Sequence, residues 1–142
     1  MTERGHAAVE LALAVATLLV PVVLVVAAFG PWSERRVLAE AAAAEASRAA
    51  VLTLDLRMGA EVVASAIAGH GLDLSLGRLG WCGAEPGPLD DPPGACPLTR
   101  GSVVEATVEV WAPLVNTPWG TVGGLWVRAS HAEPIDLYRS LP

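Results

Sequence analysis

Lysine is absent from this chain. The nine cations are all arginine, and fifteen carboxylates outnumber them to give a net charge of −6. Without a basic face to follow a phosphate backbone, no nucleic-acid partner is expected. Aromatic residues other than tryptophan are nearly missing, with one Phe and one Tyr beside five Trp. Cysteine is limited to Cys82 and Cys96, and the three histidines, His6, His70 and His131, lie far apart. None of these has the spacing that metal binding uses, and two cysteines without nearby histidines fall short of the four ligands of a structural zinc. The one acidic doublet, Asp90-Asp91, sits in a Pro-rich stretch and reads as a solvated loop rather than a calcium site. Nucleophile-elbow, Gly-rich phosphate-loop, HExxH and SxxK motifs are lacking as well. No metal, cofactor, small-molecule substrate or catalytic residue is therefore expected, and the chain does not read as an enzyme.

What the chain has in abundance is a long apolar run. Residues 11–29 contain no charge, and only Thr17 and Pro21 are not plainly apolar. At about 1.5 Å per residue such a helix crosses a hydrocarbon core of about 30 Å. The run is preceded by Arg4-Gly5-His6-Ala7-Ala8-Val9-Glu10. A secretory signal places its small-residue cleavage site after the apolar core, whereas Gly5 stands before it.

A glycine ahead of the apolar helix, with a glutamate five residues later, resembles a class III, type IV pilin-like leader. Together with the helix SERRVLAEAAAAEASRAA, the segment RGHAAVELALAV resembles the TadE/TadG-like minor pseudopilins of tight-adherence (Flp) pilus systems. The resemblance implies cleavage between Gly5 and His6 by a membrane-embedded prepilin peptidase on the cytoplasmic side, leaving the apolar helix attached. It also implies that Glu10, at the fifth mature position, guides assembly by meeting the freed amine of a neighbouring subunit. A bland alternative exists for Glu10, as an interfacial carboxylate favoured by a helix N-terminus. Pro21 removes one helical hydrogen bond and is a candidate kink, although membrane helices tolerate proline.

Flanking charge alone points the other way in orientation. Arg35 and Arg36 follow the span, while Arg4, offset by Glu3, precedes it. The cysteines outweigh that count. A bond between Cys82 and Cys96 would close a loop of about fifteen residues, contribute about 3 kcal/mol and persist only outside the cytoplasm. Two free buried thiols are the alternative. The expected topology is a single pass in the cell membrane, with the N-terminus cytoplasmic and the C-terminal domain extracytoplasmic, the surface pilus being its furthest destination.

With thirty residues in lipid, about 110 of the 142 remain, enough for one small domain. Gly30-Pro31-Trp32-Ser33 reads as a joint where the helix bends or restarts, with Ser33 as N-cap and Trp32 at the interface. Beyond it, Leu38, Ala42, Ala49, Leu52, Leu56, Ala60, Val63 and Ile67 recur at helical spacing, and Arg36–Glu40 and Arg57–Glu61 are i,i+4 pairs. The stripe is mostly alanine and suits close packing. Leu52-Thr53-Leu54-Asp55-Leu56 also alternates with period two, so a break at 55–59 competes with one long helix. Gly69-His70-Gly71 closes the helical region. Strands are expected at 72–76, at 102–111 and at 125–132, a loop tied by the cysteines at 83–94, and a turn region at 113–124. Trp81, Trp111, Trp119 and Trp126 are divided between core and contact surface.

The expected fold is α+β: a long N-terminal helix, transmembrane then amphipathic, packed on a small antiparallel sheet, as in pilins. Its parts are a leader at 1–5, a membrane helix at 6–30, an extracytoplasmic helical region at 31–69 and a sheet domain with a disulfide loop at 70–142. The expected partners are a prepilin peptidase, other pilin or pseudopilin subunits and the membrane. The competing reading is an unprocessed single-pass anchor for an extracytoplasmic binding module.

Overall fold

The computed structural model of the chain describes residues 3–117 and 119–137, with side chains from residue 9 onward except at 28 and 115–117; residues 1, 2, 118 and 138–142 lie outside the description. Helix α1 spans Glu3–Thr53 and α2 spans Leu56–Gly69. They are followed by an antiparallel sheet of β1 (Gly77–Trp81), β2 (Val103–Thr117) and β3 (Gly120–Pro134), in the order β1-β2-β3. The protein is thus an α+β fold with a long N-terminal helix lying on a three-stranded sheet.

Within α1 the chain changes character without changing conformation. Described side chains up to Phe29 are exposed, whereas Leu38, Ala39, Ala42, Ala43, Ala46, Ser47, Ala50 and Val51 are buried against the sheet and α2. The helix passes through both Pro21 and Pro31 unbroken. The expected restart at Pro31 does not occur, and Ser33 is no N-cap: its hydroxyl donates back to the Gly30 carbonyl at 2.9 Å. The buried stripe also differs from the predicted one. Ala49 is half-buried and Leu52 is 57% exposed, because eight alanines between 39 and 50 carry no size signal to phase the stripe. Contact with the sheet sets it instead.

The break between the helices falls just ahead of the expected position. Leu54 takes a left-handed φ of 56° and ends α1. Asp55 then caps α2, its carboxylate accepting the Arg57 amide at 2.9 Å. Gly59, Val63 and Ile67 form the buried face of α2 at four-residue spacing. Gly59 is a point of close approach: a Cβ there would lie 2.7 Å from the Ala46 carbonyl oxygen and 2.6 Å from the Trp81 ring.

A strand at 72–76 is not formed. Asp73 accepts the Ser75 amide at 2.8 Å and holds Leu74–Leu76 in a 3₁₀ turn, a local bond that competes with sheet pairing. The strand begins at Gly77 instead. In β2, Val104, Ala106, Val108, Val110 and Ala112 face the helices and are buried, as the alternation requires. Leu79 opposite Val108, and Trp81 opposite Ala106, extend the same apolar layer into β1. A sheet of this size is marginal alone and depends on the helices over its apolar face.

The expected turn region at 113–124 is a strand pair. Register continues from Pro113 opposite Gly124 to Thr117 opposite Gly120, so the hairpin turns only at its tip. Pro113 is tolerated because β1 pairs with β2 only from Ala106 to Val110, leaving this stretch with one neighbour. Gly124 makes room for the Trp111 indole, which a Cβ would meet at 2.3 Å.

The cysteine-tied segment is irregular, and it closes the open edge of β1. Leu79 and Gly87 exchange two backbone hydrogen bonds, and the Trp81 amide donates to the Pro93 carbonyl. The disulfide joins Cys82 to Cys96 with Cα atoms 5.5 Å apart, within the usual span. An exposed strand edge is a template for unwanted pairing, and here the tied loop satisfies it.

Candidate functional site on the N-terminal helix

The candidate site is the first half of α1. Of the expected leader, Met1 and Thr2 lie outside the described residues, and Gly5 and His6 belong to α1 with only their backbone described. Glu10 follows about two turns after the helix begins. Its neighbours at i+3, i+4, i+7 and i+8 are Leu13, Ala14, Thr17 and Leu18, which together with it border a shallow, open, mostly apolar strip. Ala14 and Thr17 are small, and the leucines flank them. Close helix–helix contact in lipid favours small residues of this kind. Thr17 is neutralised locally, its hydroxyl donating to the Leu13 carbonyl at 2.8 Å. Among the described residues no ion pair forms at Glu10, so its carboxylate is the lone charged group on this stretch.

Among the described residues one helix, α1, is long and apolar enough to cross a membrane, and its apolar part is wholly unpacked against the rest of the protein. At its outer end Phe29 lies 5.8 Å from Trp32, and the Arg36 guanidinium sits 5.7 Å from the Trp32 ring centre. Arg36 also pairs with Glu40 at 2.9 Å. Aromatic and arginine side chains at the end of an apolar helix are the usual residues of a membrane–water boundary. Pro21 lies mid-run and leaves the Thr17 carbonyl without its helical donor.

The remaining candidates scatter. His70 ends α2, its ring Nδ1 lying 2.9 Å from the Ala66 carbonyl oxygen, while His131 pairs with Glu133 at 3.4 Å on β3. Among the described residues no group of His, Cys, Asp and Glu is placed to hold a metal. Asp90 and Asp91 border a cleft of about 590 Å³ with Arg57, Glu61 and the Trp81 ring. No ion pair joins Arg57 to Glu61 among the described residues.

A second cluster was hidden from sequence reasoning. On the sheet face away from the helices, Arg78 stacks 4.2 Å over the Trp126 ring, and Trp126 meets Trp111 edge-on at 5.3 Å. Arg128 bonds Glu109 at 2.9 Å and also Glu85. Glu85, then Glu109, hold the Arg128 guanidinium above its ordinary pKa. The alternation in β2 sets Glu109 on the side away from the valines, but only the register brings Arg128 opposite Glu109 and Trp126 opposite Trp111. Compared with known proteins, the chain matches no described family, no curated protein and no solved structure.

Proposed function

We propose that this chain is a minor pseudopilin-like structural or assembly component of the tight-adherence type, inserted in the membrane by α1 and cleaved after Gly5. The observation that carries the reading is the division of one continuous helix. Its first half is an apolar, unpacked run with the carboxylate of Glu10 directly at its start, and its second half forms the spine of a small disulfide-tied sheet domain. A helix built only as an anchor has no need of a carboxylate that costs up to a few kcal/mol in lipid.

In this reading the mechanism is non-catalytic. Helices pack side by side through the Leu13–Leu18 strip, Glu10 meets the freed amine at His6 of a neighbour, and the outer domain contacts other subunits. The N-terminus faces the cytoplasm and the sheet domain lies outside, where the disulfide persists. Glu10→Ala is then expected to insert normally while its recovery in sheared fibres or membrane assembly complexes falls. Equal recovery of variant and wild type removes this role from Glu10. The aromatic and ion-paired outer face of the sheet favours a second reading, an unprocessed anchor presenting a binding module, which retention of residues 1–5 would support.

A further inference from the structure

The β2–β3 hairpin carries an uncharged apolar end whose position is set by contacts elsewhere. From residue 110 to residue 127 there is no charged side chain, and Glu109 and Arg128 close the ribbon with an ion pair. Within it Trp119 is 92% exposed, and Leu114, Val122 and Leu125 are also exposed. A patch of this kind on a protein of net charge −6 needs a partner that takes apolar and aromatic groups without electrostatic attraction.

The direction of the hairpin follows from three contacts. His70, at the end of α2, shares a hollow with Ser33, Glu34, Val37, Leu38 and Ala41, so α2 runs back toward the apolar half of α1. Gly77 abuts Ile67 at this lower end, whereas Trp81 reaches Gly59, which packs on Ala46, higher up. Since β1 climbs away from the apolar half, antiparallel β2 descends toward it, and Val110 opposite Gly77 is already at the level of the first turns after the joint. Seven further residues, 111–117, then extend β2 downward. Even inclined by about 45° to the helix, they descend about 16 Å, equal to about eleven helical residues. That brings the tip down to the level of Phe29 and Trp32.

Charge ends above the hairpin tip on both elements. On α1 the last charged residue before the apolar run is Glu34, and on the ribbon it is the Glu109–Arg128 pair. Trp32, with Phe29 beside it, and the exposed Trp119 at the ribbon tip then lie at one level, as the residues of an aromatic belt do. We infer that the tip of the β2–β3 hairpin rests in the interfacial layer of the same bilayer that α1 spans. The inference rests on the membrane-inserted reading above. A second contact beside the helix fixes the tilt of the outer domain and leaves its far end, around residues 99–103, free for other subunits.

Site-directed spin labels on the full chain in phosphatidylcholine vesicles test this, with the native disulfide kept oxidised. Labels are placed at Trp119→Cys, at Thr99→Cys on the far end and at Val20→Cys in the apolar run. The expected result is an oxygen-to-nickel accessibility ratio at 119 several-fold above that at 99 and approaching that at 20. A lipid-buried label at 20 with a fully aqueous label at 119 overturns the hairpin contact and leaves the membrane reading intact. Spin–spin broadening at 119, with both reagents excluded, assigns the tip to a second copy of the chain and also overturns it. An aqueous label at 20 removes the membrane reading and the hairpin contact together.

Discussion

At the junction of the helices, Leu54 adopts a conformation that costs an L-residue about 1–2 kcal/mol, and Asp55 restarts the helix by capping it. The capping bond offsets part of that strain. Asp55→Ala is expected to lower the unfolding free energy by about 1 kcal/mol while Asp55→Asn stays near wild type, as read by urea unfolding in detergent. Asp73 caps the 3₁₀ turn, and hydrogen bonding from Ser75 holds its carboxyl below the usual pKa. Its folded pKa lies below the unfolded one, so its stabilising effect is present above the usual carboxylate pKa and is lost as pH falls through the folded value. An NMR titration of the Asp73 carboxyl checks the direction. An unshifted or raised midpoint contradicts it. Both caps are ordinary aspartates in the sequence, and what made them unreadable as caps is that each lies among leucines spaced as in a strand. The Asp side chain competes locally with the ladder that this spacing favours.

Between α1 and α2 the decisive feature is Gly59. Replacing it with alanine improves helix propensity by about 1 kcal/mol. The added methyl meets the Ala46 carbonyl, a backbone atom that cannot turn aside, so overpacking of about 1–3 kcal/mol prevails. Gly59→Ala is therefore expected to be net destabilising in chemical denaturation, and a gain in stability would show that the helices can separate freely. The β2 strand was legible because Val104, Ala106, Val108 and Val110 alternate with polar neighbours. The β2–β3 ribbon was not, because Pro113, Gly120, Gly123 and Gly124 carry turn chemistry within a strand pair. Their roles depend on partners: Pro113 on the lack of a β1 neighbour beyond Val110, and Gly124 on the Trp111 ring above it. The phase of the alanine stripe in α1 was illegible for a related reason, since alanines on every side of a helix leave tertiary contact to choose the buried face.

Taken as one object, the protein is an apolar helix that continues into the spine of a small domain, with a disulfide-tied loop along one sheet edge. The membrane-length helix, its Glu10, and the cysteine pair were legible because composition and order alone define them. The outer aromatic and ion-paired face was not, since it arises only when β1, β2 and β3 align. Opening the Cys82–Cys96 loop by Cys96→Ala, with Cys82→Ser to avoid a free thiol, is expected to cost about 3 kcal/mol of domain stability. Denaturant midpoints of oxidised wild type and double variant measure it, and coincident midpoints would show that the loop is held by its backbone bonds alone. The central claim is that the chain is a pilin-type precursor rather than a permanent anchor. Intact mass of the membrane-extracted protein, co-expressed with a prepilin peptidase, tests this most directly beside a Gly5→Leu variant. Loss of residues 1–5 from the wild type and their retention in the variant are expected; an uncut wild type, with the peptidase active on a control precursor, shows a permanent anchor instead.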